Sequence, residues 1–270
     1  MASEPGRTDP LDLSGRVAAV TGASTGIGAA TVRALAARGA AVAFCARHED
    51  DLRALATACE DLPGDVRPFV ADMTDPASAD RFCDDVVEQL GDPDTLVNNV
   101  GASPSRNFLY MSDEDWIDLF NLNVVSAVRC TRRFLPAMRD ARFGRVVMVS
   151  SVAARQPSAA LIDYGATKAA LGAVTKALAR KYAADNVLVN SVLPGRVRTA
   201  MWERAAGEIA SSNDEDIEEV FAQRSKDIPL GRFGTSEEIA DVILFLCSDL
   251  ARYVAGAALD VDGGLGSGLH

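Results

Sequence analysis

Short apolar runs alternate with helical patterns along almost the whole chain, and this alternation constrains the fold more than any other feature. The runs that are typical of strands lie at 16–22, 41–47, 66–72, 94–101, 145–151, 186–195 and 257–264, and helical patterns fill most of the intervals between them. Strands with so few polar residues are buried on both faces, as in parallel sheets covered by helices. We therefore predict an α/β fold with one doubly wound sheet of about seven parallel strands, flanked by helices on both faces.

Length and composition allow one large domain or two small ones, and no linker or internal repeat divides the chain. Of the 270 residues, 48% are hydrophobic, which is enough for a substantial core. No apolar run approaches the roughly 18–20 residues that a membrane helix requires. The first ten residues lack the apolar segment of a secretory signal. We expect a flexible arm at 1–10, one domain at 11–270, no membrane association and a cytoplasmic location.

Charge and residue usage exclude several classes of function. The net charge of −11 would repel a phosphate backbone, so we do not expect a nucleic acid partner. The five cysteines are scattered without a CxxC pair, which argues against a disulfide framework or a zinc site. Only two histidines are present, His48 and the last residue, His270, which leaves little for a Ser-His-Asp hydrolase or a histidine-rich metal site. We expect no metal, and we expect any catalysis to use Tyr, Lys, Asp, Glu, Ser or Cys.

A glycine-rich turn follows the first predicted strand. Gly22, Gly26 and Gly28 stand in the sequence TGASTGIG at 21–28, where a strand passes into a helix. Glycine allows a tight turn and close approach of a pyrophosphate, and the helix N-terminus offers free N–H groups to the anion. The GxxxGxG spacing differs from the commoner GxGxxG, and glycine also ends strands for structural reasons alone. Its place after the first strand favours a nucleotide site.

A tyrosine and a lysine lie four residues apart in a predicted helix at 161–184. Side chains at this spacing meet on one helix face, as Tyr164 and Lys168 would. A phenol with a pKa near 10 donates a proton well but is a poor base at neutral pH. A neighbouring ammonium would favour the phenolate and lower that pKa. Taken alone, the pair could equally be an ordinary amphipathic pair.

Six motifs in order make the sequence resemble the short-chain dehydrogenase/reductase family over roughly residues 13–264. They are the glycine turn, NNVG at 98–101, Asn123 in NLNVV, Ser151 thirteen residues before the YGATK that begins at Tyr164, PGRVRT at 194–199, and the C-terminal segments at 228–249 and 260–264. The resemblance implies a single Rossmann domain and an NAD(P)-dependent oxidoreductase that interconverts a ketone and a secondary alcohol by hydride transfer.

The resemblance also implies roles for individual residues. Tyr164 would be the general acid in reduction and the general base in oxidation, tuned by Lys168, which also holds the nicotinamide ribose. Ser151 would donate a hydrogen bond to the substrate oxygen, and Asn123 would hold a water linking Lys168 to solvent. With Tyr164 and Lys168, the cofactor would contact Gly22, Ser24, Thr25, Gly26, Ile27, Gly28, Arg47, His48, Asp72, Met73, Asn99, Val100, Gly101, Pro194, Gly195, Val197 and Thr199.

The second strand indicates which nicotinamide cofactor is used. In sheets of this kind its end meets the adenosine ribose, where an acidic residue would select NAD. This chain has Arg47 there, followed by His48, and a guanidinium can pair with the 2′-phosphate of NADP. Thr25 is neutral where many NADP-dependent members carry a second basic residue, and Arg47 could instead neutralise Glu49 or Asp50 at the surface. We predict that NADP(H) is favoured over NAD(H).

The substrate is less constrained than the reaction. The resemblance implies a lid at about 197–226 and a homotetramer, with Ser103, Ala153, Gln156, Met201 and Trp202 near the substrate. We favour a 3-oxoacyl thioester; a sugar, steroid or polyketide ketone is the alternative. A second hypothesis is a non-catalytic NADP-binding regulator. The presence of the four predicted catalytic residues argues against it, namely Asn123, Ser151, Tyr164 and Lys168. An epimerase or dehydratase of the longer relatives fits poorly with the short C-terminus and the GxxxGxG spacing.

Overall fold

A computed structural model describes residues 9–267, so residues 1–8 of the expected arm and His270 lie outside the described residues. The described residues form one sheet of seven parallel strands, as predicted, and its strand order is β3-β2-β1-β4-β5-β6-β7. The strands are β1 Val17–Thr21, β2 Ala41–Ala46, β3 Val66–Val70, β4 Thr95–Asn98, β5 Gly144–Val149, β6 Val187–Pro194 and β7 Ala258–Val261. Because the order reverses between β1 and β4, a crevice opens at the carboxyl ends of these two strands.

Helices cover both faces of this sheet. They are α1 Gly26–Ala36, α2 Glu49–Thr57, α3 Pro76–Leu90, α4 Asp113–Phe120, α5 Ser126–Asp140, α6 Ile162–Tyr182, α7 Ala200–Asn213, α8 Ile217–Ser225 and α9 Ser236–Cys247. Residues of α1, α2 and α9 form a core on one face, and residues of α3, α5 and α6 form a core on the other. The central strands are buried along their whole length, which explains their nearly continuous apolar sequence.

A π-helical turn divides the helical stretch between β4 and β5 into α4 and α5. The helix α4 begins with a capping box between Ser112 and Asp115, as the SDED sequence predicts. A π-helical turn then occupies Asn121–Val125 before α5 continues in the same direction. Such turns insert an extra residue into a helix and are frequent at functional sites. This one carries Asn123.

The polar section at 197–226 contains two helices with a small core of their own. The acidic run at 211–219 contains the end of α7 and the start of α8. Asp214 has the left-handed φ of 57° that ends α7, and Asp216 caps α8. Ala206, Val220 and Phe221 are buried with Phe233 between these helices.

Two further sequence interpretations can be compared with the structure. The cysteines at 45, 59, 83, 130 and 247 are all buried and unpaired, as expected for small apolar side chains. Among the described residues, no helix has the length and apolar character needed to cross a membrane.

Candidate active site

The carboxyl ends of β1, β4, β5 and β6 bring most of the predicted site residues to one edge of the sheet. Parallel strands direct their following loops to the same edge. The glycine turn follows β1, the NNVG segment spans the end of β4, and Ser151 follows β5. The PGRVRT segment begins at the last residue of β6. The fold therefore gathers motifs that are far apart in sequence.

The glycine turn leaves no room for side chains between β1 and α1. Gly22 and Gly26 have φ values of 66° and 57°, which L residues rarely adopt. A Cβ on Gly28 would lie 2.5 Å from the Gly22 carbonyl oxygen and 2.6 Å from Asn99 Nδ2. Thr25, the N-cap of α1, makes no side-chain hydrogen bond to the helix, so its first N–H groups are not capped by a side chain. This arrangement fits the pyrophosphate of a dinucleotide.

The NNVG segment joins this turn to the rest of the site. Asn99 Nδ2 donates to the Gly22 carbonyl at 2.7 Å, and its backbone N–H donates to Thr21 Oγ1 at 3.1 Å. A Cβ on Gly22 would lie 3.0 Å from the Val100 Cα, so these backbones are in close contact. The segment thus fixes the conformation of the glycine turn from the neighbouring strand.

Gly101 lies against the two polar side chains that the resemblance places in catalysis. A Cβ at this position would be 3.2 Å from Lys168 Nζ and 3.4 Å from Asn123 Oδ1. The side chains of Asn123 and Lys168 therefore lie close together beside the loop that follows β4.

The Asn123 side chain is fully buried and holds that loop in place. Its Oδ1 accepts from the Ala102 N–H at 2.9 Å, and its Nδ2 donates to the Ala102 carbonyl at 3.0 Å. The same Nδ2 donates to Thr167 Oγ1 at 3.0 Å, and this hydroxyl donates to the Tyr164 carbonyl at 2.7 Å. The amide thus binds both a loop and α6. Sequence reasoning missed Thr167, whose only signal was its place one turn beyond Tyr164.

Tyr164, Lys168 and Ser151 form a compact group at the start of α6. Lys168 is 3% exposed, and its Nζ donates to the Val149 carbonyl at 2.9 Å. The same Nζ lies 5.6 Å from the centroid of the Tyr164 ring. The Ser151 hydroxyl accepts from the Ala153 N–H at 3.1 Å and lies close enough to the Tyr164 phenol to lower its pKa. The helix pair and the serine are thus brought together in space.

Burial controls the protonation of both groups in this site. It raises the pKa of the half-buried Tyr164, an effect that the hydrogen bond with Ser151 opposes. This direction is opposite to the lowering that we expected from Lys168. Burial also lowers the pKa of Lys168 from 10.5 to about 8, because the buried ammonium has lost its hydration. The phenol is therefore held in its protonated form, which suits a proton donor.

The end of β2 brings Arg47 near Asp72. Two hydrogen bonds from Thr74 lower the pKa of Asp72, and the charge of Arg47 contributes to this lowering. Arg47 and His48 are exposed, whereas Met73 is buried beside Cys45. Glu49 pairs with Arg53 at 2.6 Å, so Arg47 is not needed to neutralise it. Arg47 directly follows β2, the strand whose end meets the adenosine ribose in dinucleotide-binding sheets of this kind.

The segment after β6 reaches back to the glycine turn. A Cβ on Gly26 would lie 3.3 Å from Thr199 Cγ2, and Thr199 is the N-cap of α7. Gly195 lies against Asp262, since a Cβ there would be 2.7 Å from the Asp262 Cβ. Val197 is buried and forms an isolated bridge with Gly234. Four cofactor contacts are expected in this segment, namely Pro194, Gly195, Val197 and Thr199. The contacts described here place Thr199 beside the glycine turn.

The residues expected near the substrate differ in their burial and in the groups that they contact. Ala153 is buried in the short helix after Ser151, and Ser103 is partly exposed on the loop after β4. Gln156 donates to Ser267 Oγ at 3.3 Å. Met201 is exposed, but Trp202 packs edge-to-face on Phe233 with ring centroids 5.0 Å apart. Trp202 therefore belongs to the core of the α7–α8 segment.

Comparisons with known proteins agree with this geometry. A family model described as enoyl-(acyl carrier protein) reductase matches residues 22–266. The chain is 38% identical to the 3-oxoacyl-(acyl-carrier-protein) reductase FabG of Thermotoga maritima over 94% of its length and 99% of the relative's. It is 39% identical to a putative ketoacyl reductase of the monensin polyketide synthase from Streptomyces virginiae, over 93% and 97% of the two chains. The structure of L-sorbose reductase from Gluconobacter frateurii, complexed with NADPH and L-sorbose, superposes with a TM-score of 0.93 at 34% identity, covering 97% of this chain and 100% of that one.

Replacing Gly28 with alanine should weaken binding of NADPH by about tenfold or more, because the new Cβ would overlap the Gly22 carbonyl and the Asn99 amide. Fluorescence titration with NADPH measures this loss. Gly207→Ala is the matched control, since a Cβ there meets nothing within 4 Å and lies in the helix α7. Equal affinities in Gly28→Ala and wild type would contradict a phosphate cradle at this turn.

Lys168 should make the protein more stable as the pH rises from about 8 to 10.5. In this window the unfolded chain still binds the proton that folded Lys168 has released, so the free energy of unfolding increases with pH, by about 3 kcal/mol at most. Urea unfolding across this range, compared between wild type and Lys168→Met, isolates the effect. The variant should lack this increase; identical pH dependence in the two proteins would show that Lys168 titrates normally.

Proposed function

The chain belongs to the short-chain dehydrogenase/reductase family, and on this basis we propose that it is an NADPH-dependent ketoreductase in which Tyr164 exchanges a proton with the substrate oxygen. The observation that carries the proposal is the grouping of Tyr164, Ser151 and Lys168 beside a loop that also shapes the glycine turn. Hydride donor and proton donor would then face one carbonyl group. The relatives that reduce ketones support the same chemistry.

The proposed reaction divides the work between the cofactor and the side chains. NADPH, when bound, supplies the hydride to the carbonyl carbon. The Tyr164 phenol donates its proton to the carbonyl oxygen. The π bond of the C=O group is thereby replaced by a new C–H bond and a new O–H bond, and the product is an alcohol. The Ser151 hydroxyl stabilises negative charge that develops on that oxygen. In the reverse direction Tyr164 must lose its proton first, so its raised pKa favours reduction.

A thioester and a sugar ketone are the two substrate classes that we propose to compare. The 3-oxoacyl and ketoacyl reductases among the relatives favour a 3-oxoacyl thioester. The similarity to the sorbose complex favours a ketose as the second candidate. Oxidation of NADPH should therefore be followed with acetoacetyl thioesters, L-sorbose and a cyclic diketone. NADPH binding without turnover of any ketone would favour a non-catalytic regulator instead.

We also propose a mobile lid and a homotetramer. The lid would comprise the segment 197–226, where Arg198 pairs with Glu203 and Glu218 and so joins α7 to α8. The tetramer would cover exposed apolar side chains at Leu109, Tyr110, Ile117, Leu230 and Tyr253. Light scattering coupled to gel filtration should give four times the monomer mass of 28.5 kDa. A monomer mass at micromolar concentration would contradict this assembly. The cytoplasmic location stays a prediction.

Tyr164→Phe should abolish ketone reduction, with a loss of kcat of about a hundredfold or more, because phenylalanine has no proton to donate. Steady-state kinetics with the most active ketone gives the loss, and NADPH titration should show an affinity close to wild type. Tyr182→Phe is the matched control, since that tyrosine stands at the opposite end of the same helix α6. Wild-type kcat in Tyr164→Phe would disprove the assignment of Tyr164.

Arg47→Ala should weaken NADPH binding more than NADH binding, because only NADPH carries the 2′-phosphate that the guanidinium would pair with. Dissociation constants for both cofactors, measured on the same preparation, give the ratio. Arg53→Ala is the control, since it removes an exposed arginine of the adjacent helix α2. Equal losses for the two cofactors would exclude Arg47 as the residue that selects NADPH.

A further inference from the structure

We propose that Arg106 and Asp163 form a positioning pair that fixes the backbone of Tyr164 against the loop after β4. The inference deepens the proposed ketoreductase function and rests on it. Neither residue belongs to the motifs that identify the family. Both lie next to the groups that the reaction would use, Asp163 immediately before Tyr164 and Arg106 three residues after Ser103.

Asp163 is a buried carboxylate that binds the backbone of its neighbour. It is 2% exposed and lies in the first turn of α6. Its Oδ1 accepts from the Tyr164 N–H at 2.8 Å, which fixes the amide of that residue. Its Oδ2 is buried without a hydrogen-bond partner in the part of the chain that the structure describes. The cation beside it is Arg106, whose Nη1 lies 3.5 Å from this oxygen. A buried carboxylate needs such a counter-charge.

Arg106 joins this carboxylate to two other elements. It lies on the loop between β4 and α4, and the same loop is bound to Asn123 through Ala102. Its Nη1 also donates to the Asp115 carbonyl at 3.2 Å, and its Nη2 lies 3.4 Å from Asp115 Oδ1. Asp115 is itself held by the capping box of α4. One guanidinium therefore connects the loop, the start of α4 and the start of α6.

This connection controls a distance that matters for the reaction. The loop carries Ser103 on the expected substrate side, and α6 carries Tyr164, so their separation sets how a carbonyl group meets the phenol. Proton transfer is sensitive to small displacements, and a misplacement of about 1 Å can lower a rate by about a hundredfold. Among the described residues, no hydrogen bond or ion pair joins the glycine turn to Arg106 or Asp163, so cofactor binding should be unaffected by their loss. The pair should thus affect kcat and leave NADPH affinity unchanged.

A double-mutant cycle tests the pair. Arg106→Gln should lower kcat by about tenfold, with the Kd for NADPH within about twofold of wild type. Asp163→Asn keeps an acceptor for the Tyr164 N–H but removes the charge. The double variant Arg106→Gln/Asp163→Asn should lose no more than the worse single variant, because no buried charge is left without a partner. Arg106→Lys should recover part of the loss. The proposal would be overturned if the losses of kcat in the two single variants multiplied in the double variant. It would also be overturned if the variants lost only NADPH affinity.

Hydrogen exchange separates this inference from the proposed reaction. In Arg106→Gln, backbone amides at the start of α6 and in the loop after β4 should exchange faster than in wild type. The exposed pair Glu49–Arg53 supplies the control, since Glu49→Gln and Arg53→Gln should leave these segments unchanged. If wild type reduced no ketone but the exchange changed as expected, the proposed function would fail and the positioning role would stand. Unchanged exchange in Arg106→Gln would overturn the pair whatever the activity.

Discussion

The arrangement of the site depends on the hydrogen bonds that hold the buried ammonium of Lys168 in place. A charged group without water is stable only where fixed polar atoms replace its hydration. The carbonyl of Val149, at the end of β5, supplies one such atom at 2.9 Å, and Ser150 Oγ binds the carbonyl of Lys168 at 3.0 Å. Both bonds involve Lys168, one through its side chain and one through its carbonyl, and they attach α6 to the end of β5. Ser151 follows directly, so its hydroxyl is brought to Tyr164 by the same attachment.

A second set of polar contacts holds the loop after β4 against this group. Asn123 binds the backbone of Ala102 in both directions and also binds Thr167. The π-helical turn at Asn121–Val125 changes the direction in which the following side chains point, as an inserted residue does in any helix. On the other side, the side-chain amide of Asn99 donates hydrogen bonds to the backbone carbonyls of Thr21 and Gly22 in the glycine turn. The loop is therefore held both by the cofactor side and by the catalytic side of the site.

Burial and hydrogen bonding have opposite effects on the pKa of the proton donor, and burial has the larger effect. The approach of an ammonium to a phenol lowers the pKa of the phenol, yet the Tyr164 pKa is raised because its environment is desolvated. Desolvation also lowers the pKa of Lys168 to about 8, so the lysine keeps its charge at pH 7 and loses it as the pH rises above 8. A tyrosine that keeps its proton is matched to ketone reduction, the direction in which it must donate.

Much of this protein could be predicted from its sequence, because the signals involved are local. Apolar runs determine which strands are buried, glycines mark the turn between β1 and α1, and the spacing of Tyr164 and Lys168 places both on one helix face. The only sequence signal of Thr167 was its place one turn beyond Tyr164, because its contact with Asn123 depends on how two helices meet. Trp202 packs on Phe233, a contact that likewise depends on how distant segments meet, and its expected place near the substrate stays a prediction. Only the tertiary structure decided these contacts, the π-helical turn, the direction of the Tyr164 pKa and the pairing of Arg106 with Asp163. Each depends on burial and on distances between segments far apart in the chain, which a local pattern does not encode.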